Sequence, residues 1–287
     1  MFKLSVITDE VSQDLEVVAR FAQRFNLNGL EIRSLWGKKP QELLGDLGKI
    51  KKILSDYDLG ISAIASPFFK ADIESEKEYQ EHLEILRNCS ELAMDLGTDI
   101  IRGFTFWRKG NLDDHLERII EKFQKPLEII EDEGVILGIE NEPSTFVGNG
   151  RELALFLDRL GSKNVKAIWD PGNDTFDPAG EMPYPDGYKY VRGRIVHMHI
   201  KDGIRRGAEG KYEGAAIGEG DVDYPGQLKA LREDGYRGYL SLETHWRPKV
   251  KLTEEEVTKP GGVEFSRLGE EASEVCMRNL LGILSKL

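Results

Sequence analysis

Eight short runs rich in β-branched and apolar residues punctuate this chain, and segments with helical periodicity lie between them. The runs are Ser5–Thr8, Gly29–Arg33, Ile61–Ser66, Asp99–Phe104, Val135–Glu140, Val165–Asp170, Ile195–Ile200 and Tyr239–Glu243. Turn signals such as Asn28-Gly29, Leu59-Gly60, Leu96-Gly97 and Arg237-Gly238 precede most of them. Strand then helix, repeated about eight times, predicts a parallel sheet covered by helices. Within 287 residues, that many units favour closure into a single (β/α)8 TIM barrel spanning residues 1–287. An open dinucleotide-binding sheet would need a Gly-rich turn after the first strand, where the chain reads Thr8-Asp9-Glu10-Val11-Ser12.

The helical segments carry their own signals. Ser12 is placed as an N-cap, followed by Leu15, Val18, Ala19, Ala22 and Phe25 on one face. Pro40 suits the first turn of a helix bearing Leu43, Leu44, Leu47, Ile50 and Leu54. Further helices are predicted over Glu76–Leu96, Leu112–Glu133, Gly150–Leu160, Pro225–Glu233 and Leu268–Leu287, with Tyr184–Val191 the weakest. Two long segments break the rhythm: Lys201–Asp221, with six glycines, and His245–Arg267, with Pro248 and Pro260. Segments of that length in a compact domain serve as lids, binding loops or contacts of a homo-oligomer.

Composition narrows the function classes. Asp+Glu number 51 against 39 Lys+Arg, a net charge of −12, which disfavours bulk binding to nucleic acid. A 40% hydrophobic content excludes global disorder. No apolar run approaches the ~18 residues of a membrane span, and no signal-peptide pattern follows Met1-Phe2-Lys3, so a cytoplasmic location is expected. Cys89 and Cys276 fall in helical stretches far from any CxxC spacing and are read as buried thiols.

In a barrel of this kind, chemistry collects at the C-terminal ends of the strands. The fifth run ends Glu140-Asn141-Glu142-Pro143 and the sixth Asp170-Pro171-Gly172-Asn173. The seventh contains His197-Met198-His199-Ile200-Lys201, and the eighth runs into Glu243-Thr244-His245-Trp246. Strand alternation puts Glu140 with Glu142, and His197, His199 and Lys201 with one another. If Glu140, Asp170, His199 and Glu243 face the lumen, three carboxylates and one imidazole meet at one spot. Like charges in a low dielectric need a neutralising partner, and a divalent cation supplies one. An oxygen-rich set with one imidazole suits Mn²⁺, Mg²⁺ or Co²⁺ better than a closed structural Zn²⁺ site, with catalytic Zn²⁺ the alternative. His82 and His115, on helices, are expected to be solvated.

Several stretches resemble the xylose-isomerase-like TIM barrels, the superfamily of sugar isomerases and epimerases with endonuclease-IV-type proteins as distant members. They are His199-Ile200-Lys201-Asp202, Gly218-Glu219-Gly220-Asp221-Val222-Asp223-Tyr224 and Gly235-Tyr236-Arg237-Gly238-Tyr239-Leu240-Ser241-Leu242-Glu243, with weaker matches at 29–33 and 137–141. The resemblance implies that Glu140, Asp170, His199 and Glu243 are metal ligands, and that Glu140 and Glu243 double as the acid/base pair. Asn173 stands where members often carry His, which argues against the three-zinc arrangement of the DNA-repair branch.

A metal that stabilises an enediolate would let one glutamate remove a carbon-bound proton and the other return it, giving isomerisation or epimerisation. Expulsion of a β-hydroxyl from the same enediolate would instead make the enzyme a dehydratase of a keto-inositol or related polyol. The expected partner is a small sugar or sugar derivative.

Candidate substrate contacts are Glu142, Asn173, His197, Lys201, Arg33, Trp107 and Trp246. Trp36, Phe68, Phe69 and Phe106 either join them or seal the barrel mouth. Arg102 shares Arg33's facing pattern, Arg33 has Glu31 as an alternative partner, and Arg205 and Arg206 are candidates for an anionic group.

Overall fold

Eight strands form, all parallel, in the computed structural model, which describes residues 2–177, 179, 181–206, 211–248 and 262–287. They are β1 (Lys3–Val6), β2 (Gly29–Ile32), β3 (Gly60–Phe68), β4 (Ile100–Gly103), β5 (Ile136–Glu140), β6 (Val165–Trp169) and β7 (Ile195–Ile200). A hairpin of β8 (Asp202–Arg206) and β9 (Lys211–Ala215) follows, and then β10 (Tyr239–Leu242). The sheet order is β1-β10-β7-β6-β5-β4-β3-β2. A parallel bridge between Ile7 and Glu31 brings its two edges together, giving a single (β/α)8 TIM barrel. Gly138 in β5 is required by the close packing of β6 beside it, since a Cβ there would lie 2.5 Å from Ile168 Cγ1.

Helices wrap the strands with their apolar faces inward. The first long one, Leu15–Arg24, buries Leu15, Val18, Ala19, Phe21 and Ala22. Its N-cap is Asp14, whose Oδ1 accepts from Glu16 N at 3.0 Å; Ser12 instead follows a short buried helix, Thr8–Val11. A carboxylate at that end complements the helix dipole, which a hydroxyl does not.

The predicted helix over 112–133 is two helices, Leu112–Lys122 and Gln124–Glu133. Pro126 has no N–H to donate back to Lys122 O, and the Tyr79 hydroxyl donates to that carbonyl instead at 2.9 Å. Both cysteines are free and fully buried, and burial pushes each thiol up to about 12.

Of the two long segments, Lys201–Asp221 contains the antiparallel β8–β9 hairpin, with residues 207–210 outside the described ones. Buried Asp202 closes its base, accepting backbone N–H bonds from Gly203, Gly218, Gly220 and Val222. In the second, residues 249–261 lie outside the described ones. The segment beyond them is tied to the barrel by Asp9, which accepts from Gly262 N at 3.1 Å and from the Ser266 hydroxyl at 3.0 Å. Among the described residues no helix is long and apolar enough to cross a membrane.

Candidate active site

The ends of β5, β6, β7 and β10 meet around one imidazole. His199 Nδ1 lies 3.4 Å from Glu140 Oε1, 3.5 Å from Glu243 Oε2 and 3.7 Å from Asp170 Oδ2. All four residues are buried, and each offers an atom within 4.8 Å of the others'. Buried His199 Nδ1 and Glu140 Oε2 have no hydrogen bond, and Asp170 Oδ2 has Lys201 Nζ at 2.7 Å. Three carboxylates and one ring nitrogen, some of their valences unused, fit a divalent cation.

The other face of the His199 ring is held from across the lumen. Glu31, on β2, places Oε1 3.1 Å from His199 Nε2 and Oε2 2.8 Å from His197 Nε2. Burial opposes ionisation of Glu31, but the two imidazoles outweigh it and hold its carboxyl well below the usual range. A carboxylate on Nε2–H turns Nδ1 toward the carboxylates, the orientation a metal ligand needs once its proton has left. Burial opposes the charged ring, but Glu31 and Glu140 outweigh it and hold the imidazole well above its usual range. His197 is therefore buried behind the site and bonded to Glu31, a support for His199 rather than a substrate contact.

Each carboxylate has its own partners. Glu140 Oε1 accepts from Asn173 Nδ2 at 2.8 Å, and Oε2 lies 3.2 Å from Arg102 Nη1. Despite burial, His199 and Arg102 hold the Glu140 carboxyl down to about 2. Asp170 Oδ1 caps the Pro171–Thr175 turn by accepting from Asn173 N at 3.0 Å, and burial raises its carboxyl above the usual range. Asn173 thus orients Glu140 and the end of β6.

Glu243 has Arg33 Nη1 at 2.6 Å on Oε1 and Lys201 Nζ at 2.8 Å on Oε2. Against the cost of burial, Lys201, His199 and Arg33 hold it ionised. Arg33 does not pair with Glu31; its remaining nitrogens reach Asp9 at 2.8 Å and Glu10 at 2.7 Å.

A narrow cavity opens above these groups, lined by Glu140, Glu243, Lys201, Arg33, Arg102, Phe104, Lys70, Glu142 and His245. Its free space of about 10 Å³ holds about one water. Glu142 Oε2 accepts from Lys70 Nζ at 3.1 Å. His245 adopts φ 40°, and burial drives its imidazole down to about 3, so the ring is neutral. Its Nε2 lies 3.3 Å from Glu10 Oε1 and 3.4 Å from Glu243 Oε1.

The expected aromatic platform is mostly elsewhere. Phe68, Phe69 and Phe106 are fully buried in a stack with ring centroids 3.9 and 4.0 Å apart, so they seal the barrel. Trp246 packs half-buried against the core, Trp36 lies under Lys49, and half-buried Trp107 stands behind Lys70. Phe104 takes the aromatic position in the cavity. His82 is buried rather than solvated, its Nδ1 accepting from Phe69 N at 2.8 Å, and half-buried His115 packs on Phe146. Arg205 binds through its backbone N–H to Asp221; the Arg206 side chain lies outside the described ones.

The xylose isomerase-like TIM barrel family matches residues 19–261, and the chain belongs to it. An inosose dehydratase of Clostridium perfringens is 23% identical over 241 residues, covering 71% of this chain and 76% of that protein. The fold matches a D-allulose 3-epimerase from Methylomonas sp. at a TM-score of 0.74 and 17% identity, over 100% of this chain and 98% of that one. It also matches an IolI protein with a bound zinc atom at a TM-score of 0.74 and 18% identity, over 99% of both chains.

Proposed function

We propose that this chain is a divalent-metal-dependent isomerase or epimerase of a sugar or sugar derivative, in which Glu140 and Glu243 move a carbon-bound proton. The observation that carries this is the approach of those two carboxylates to His199 Nδ1, at 3.4 and 3.5 Å, with both lining the one cavity. Glu140, Asp170, His199 and Glu243 would hold the cation, with Mn²⁺, Mg²⁺ or Co²⁺ favoured by the oxygen-rich donors and Zn²⁺ the alternative. When bound, it supplies Lewis-acid stabilisation of charge developing on the substrate's oxygens.

The chain's residues do the rest. Both glutamates are held ionised, so either can accept the proton. Arg33 and Arg102 fix the two carboxylates, and Asn173 orients Glu140. Lys201 and His245 present N–H groups where substrate oxygens would lie. A sugar is far larger than one water, so its entry requires the cavity to widen.

A second reading, dehydration of a keto-polyol, is favoured by the similarity to an inosose dehydratase. In it Lys201 would donate to a departing hydroxyl. Incubating Mn²⁺- or Co²⁺-loaded protein with ketoses, phosphorylated sugars and inosose in D₂O separates the two. Proton return leaves deuterium on carbon in an isomer or epimer; elimination gives an absorbing enone or dione. Neither outcome across the panel would overturn both readings.

A further inference from the structure

Lys201 differs from the other cations of the site in which oxygens it takes. Arg33 binds Glu243 Oε1, and Arg102 lies against Glu140 Oε2. The carboxylate atoms that approach His199 Nδ1 are the other ones, among them Glu243 Oε2 and Asp170 Oδ2. Lys201 Nζ lies 2.8 Å from the first and 2.7 Å from the second. Its side chain is 3% exposed, so this ammonium is committed to the site rather than screened by solvent. Its position follows from the fold: Lys201 is two residues beyond His199 and shares its face, aimed at the same centre.

We infer that Lys201 is a resident cation of the metal site. Before a metal arrives, its ammonium joins Asp170 and Glu243 and offsets the repulsion among buried carboxylates. A metal ion must compete with it for the same lone pairs and against its positive charge. The chain therefore folds with its site already assembled, and gives up metal affinity for that independence. This rests on reading Glu140, Asp170, His199 and Glu243 as a cation site, and the test separates the two.

Full-length protein stripped with chelator is titrated with Mn²⁺ and, separately, Co²⁺ by calorimetry, without substrate, for the wild type and for Lys201→Met. Thermal unfolding of each is recorded with and without Mn²⁺. Removing the charge while keeping the chain's bulk should tighten Kd at least ten-fold for both metals. It should lower the Tm of the stripped protein, and Mn²⁺ should raise the variant's Tm more than the wild type's. A variant that folds only with Mn²⁺ supports the inference in its strongest form. Unchanged or weaker metal binding by Lys201→Met overturns it, because Lys201 then does not compete. So does failure to fold with Mn²⁺ present, which would give Lys201 a role independent of the cation. No binding of either metal to wild type, with loaded protein equally bare by elemental analysis, refutes the cation site itself.

Discussion

Glu31→Gln is the substitution that most directly tests how the imidazole is aimed. Glu31 accepts from two rings at once, His197 Nε2 at 2.8 Å and His199 Nε2 at 3.1 Å, with all three side chains fully buried. An amide of the same shape has one acceptor oxygen and one NH₂. If the NH₂ turns to His199, that ring must accept at Nε2 and carry its proton on Nδ1, where it can no longer ligate. If it turns to His197, His199 keeps an acceptor that is no longer charged, and its ring loses basicity.

Loss of such a supporting partner costs about 10–100-fold in metal affinity. The uncharged acceptor belongs at the lower end of that range and the reversed tautomer at the upper, about 1.4–2.7 kcal/mol of binding. Each hydrogen bond also falls from the charged class to the neutral one, together about 2 kcal/mol of folding stability. Co²⁺ calorimetry on stripped protein measures the first loss and denaturant unfolding of the same sample the second. A Kd within two-fold of wild type, in a variant that has lost stability, would refute the claim that Glu31 aims the ligand.

The two glutamates after β5 should separate cleanly: Glu140→Gln weakens metal binding and abolishes turnover, whereas Glu142→Gln, which touches Lys70 at the cavity edge, changes mainly KM in steady-state assays. Glu243→Gln should lower kcat by about 10²–10⁴-fold, with metal content falling only partly; recovery to wild-type turnover on adding excess Mn²⁺ or Co²⁺ would leave Glu243 a ligand alone. His82 is buried neutral, its imidazole driven down to about 4 by burial, so the folded state resists protonation that the unfolded chain accepts near 6.5. That stability is present above pH 6.5 and is lost as pH falls toward 4, about 3 kcal/mol in all; denaturant titrations over that range should show a shallower pH slope for His82→Gln, which can still accept from Phe69 N.

The barrel and its four converging donors were readable because both depend on local pattern. Alternation fixes a strand's face, and the C-terminal end of a barrel strand points at the mouth, so the four runs could be brought to one place; the choice of Glu140 over Glu142 and His199 over His197, which share a face, comes from the family resemblance. The first run was set two residues late: Lys3 and Leu4 already pair with Tyr239 and Leu240, while Thr8 opens a helix. The break at Phe123 was hidden because Pro126 sits inside a continuous apolar period.

What local pattern could not supply were partners fixed only when the sheet closes. Glu31 is 166 residues from His197, and Arg33 is 210 from Glu243. In the sequence, Asp9 and Glu10 stand only where a Gly-rich turn would be, with no role assigned. Their one available signal was the spacing of Glu31 on β2 and Arg33 just beyond it, two charged residues at strand alternation, which marks a polar lumen rather than a solvated surface.

Closure itself has a consequence at the meeting of β1 and β2. The backbone joins there sparingly, through the Ile7–Glu31 bridge and a bond from Asn28 N to Leu4 O. Across that seam Arg33 reaches from the end of β2 to Asp9 and Glu10 beyond β1, and on to Glu243 beyond β10. One guanidinium is thus both a clasp on the cylinder's thinnest join and a partner of a candidate ligand. The same coupling makes the seam a poor place to cut and rejoin the chain, and the far wall, where β4, β5 and β6 share continuous ladders, a better one.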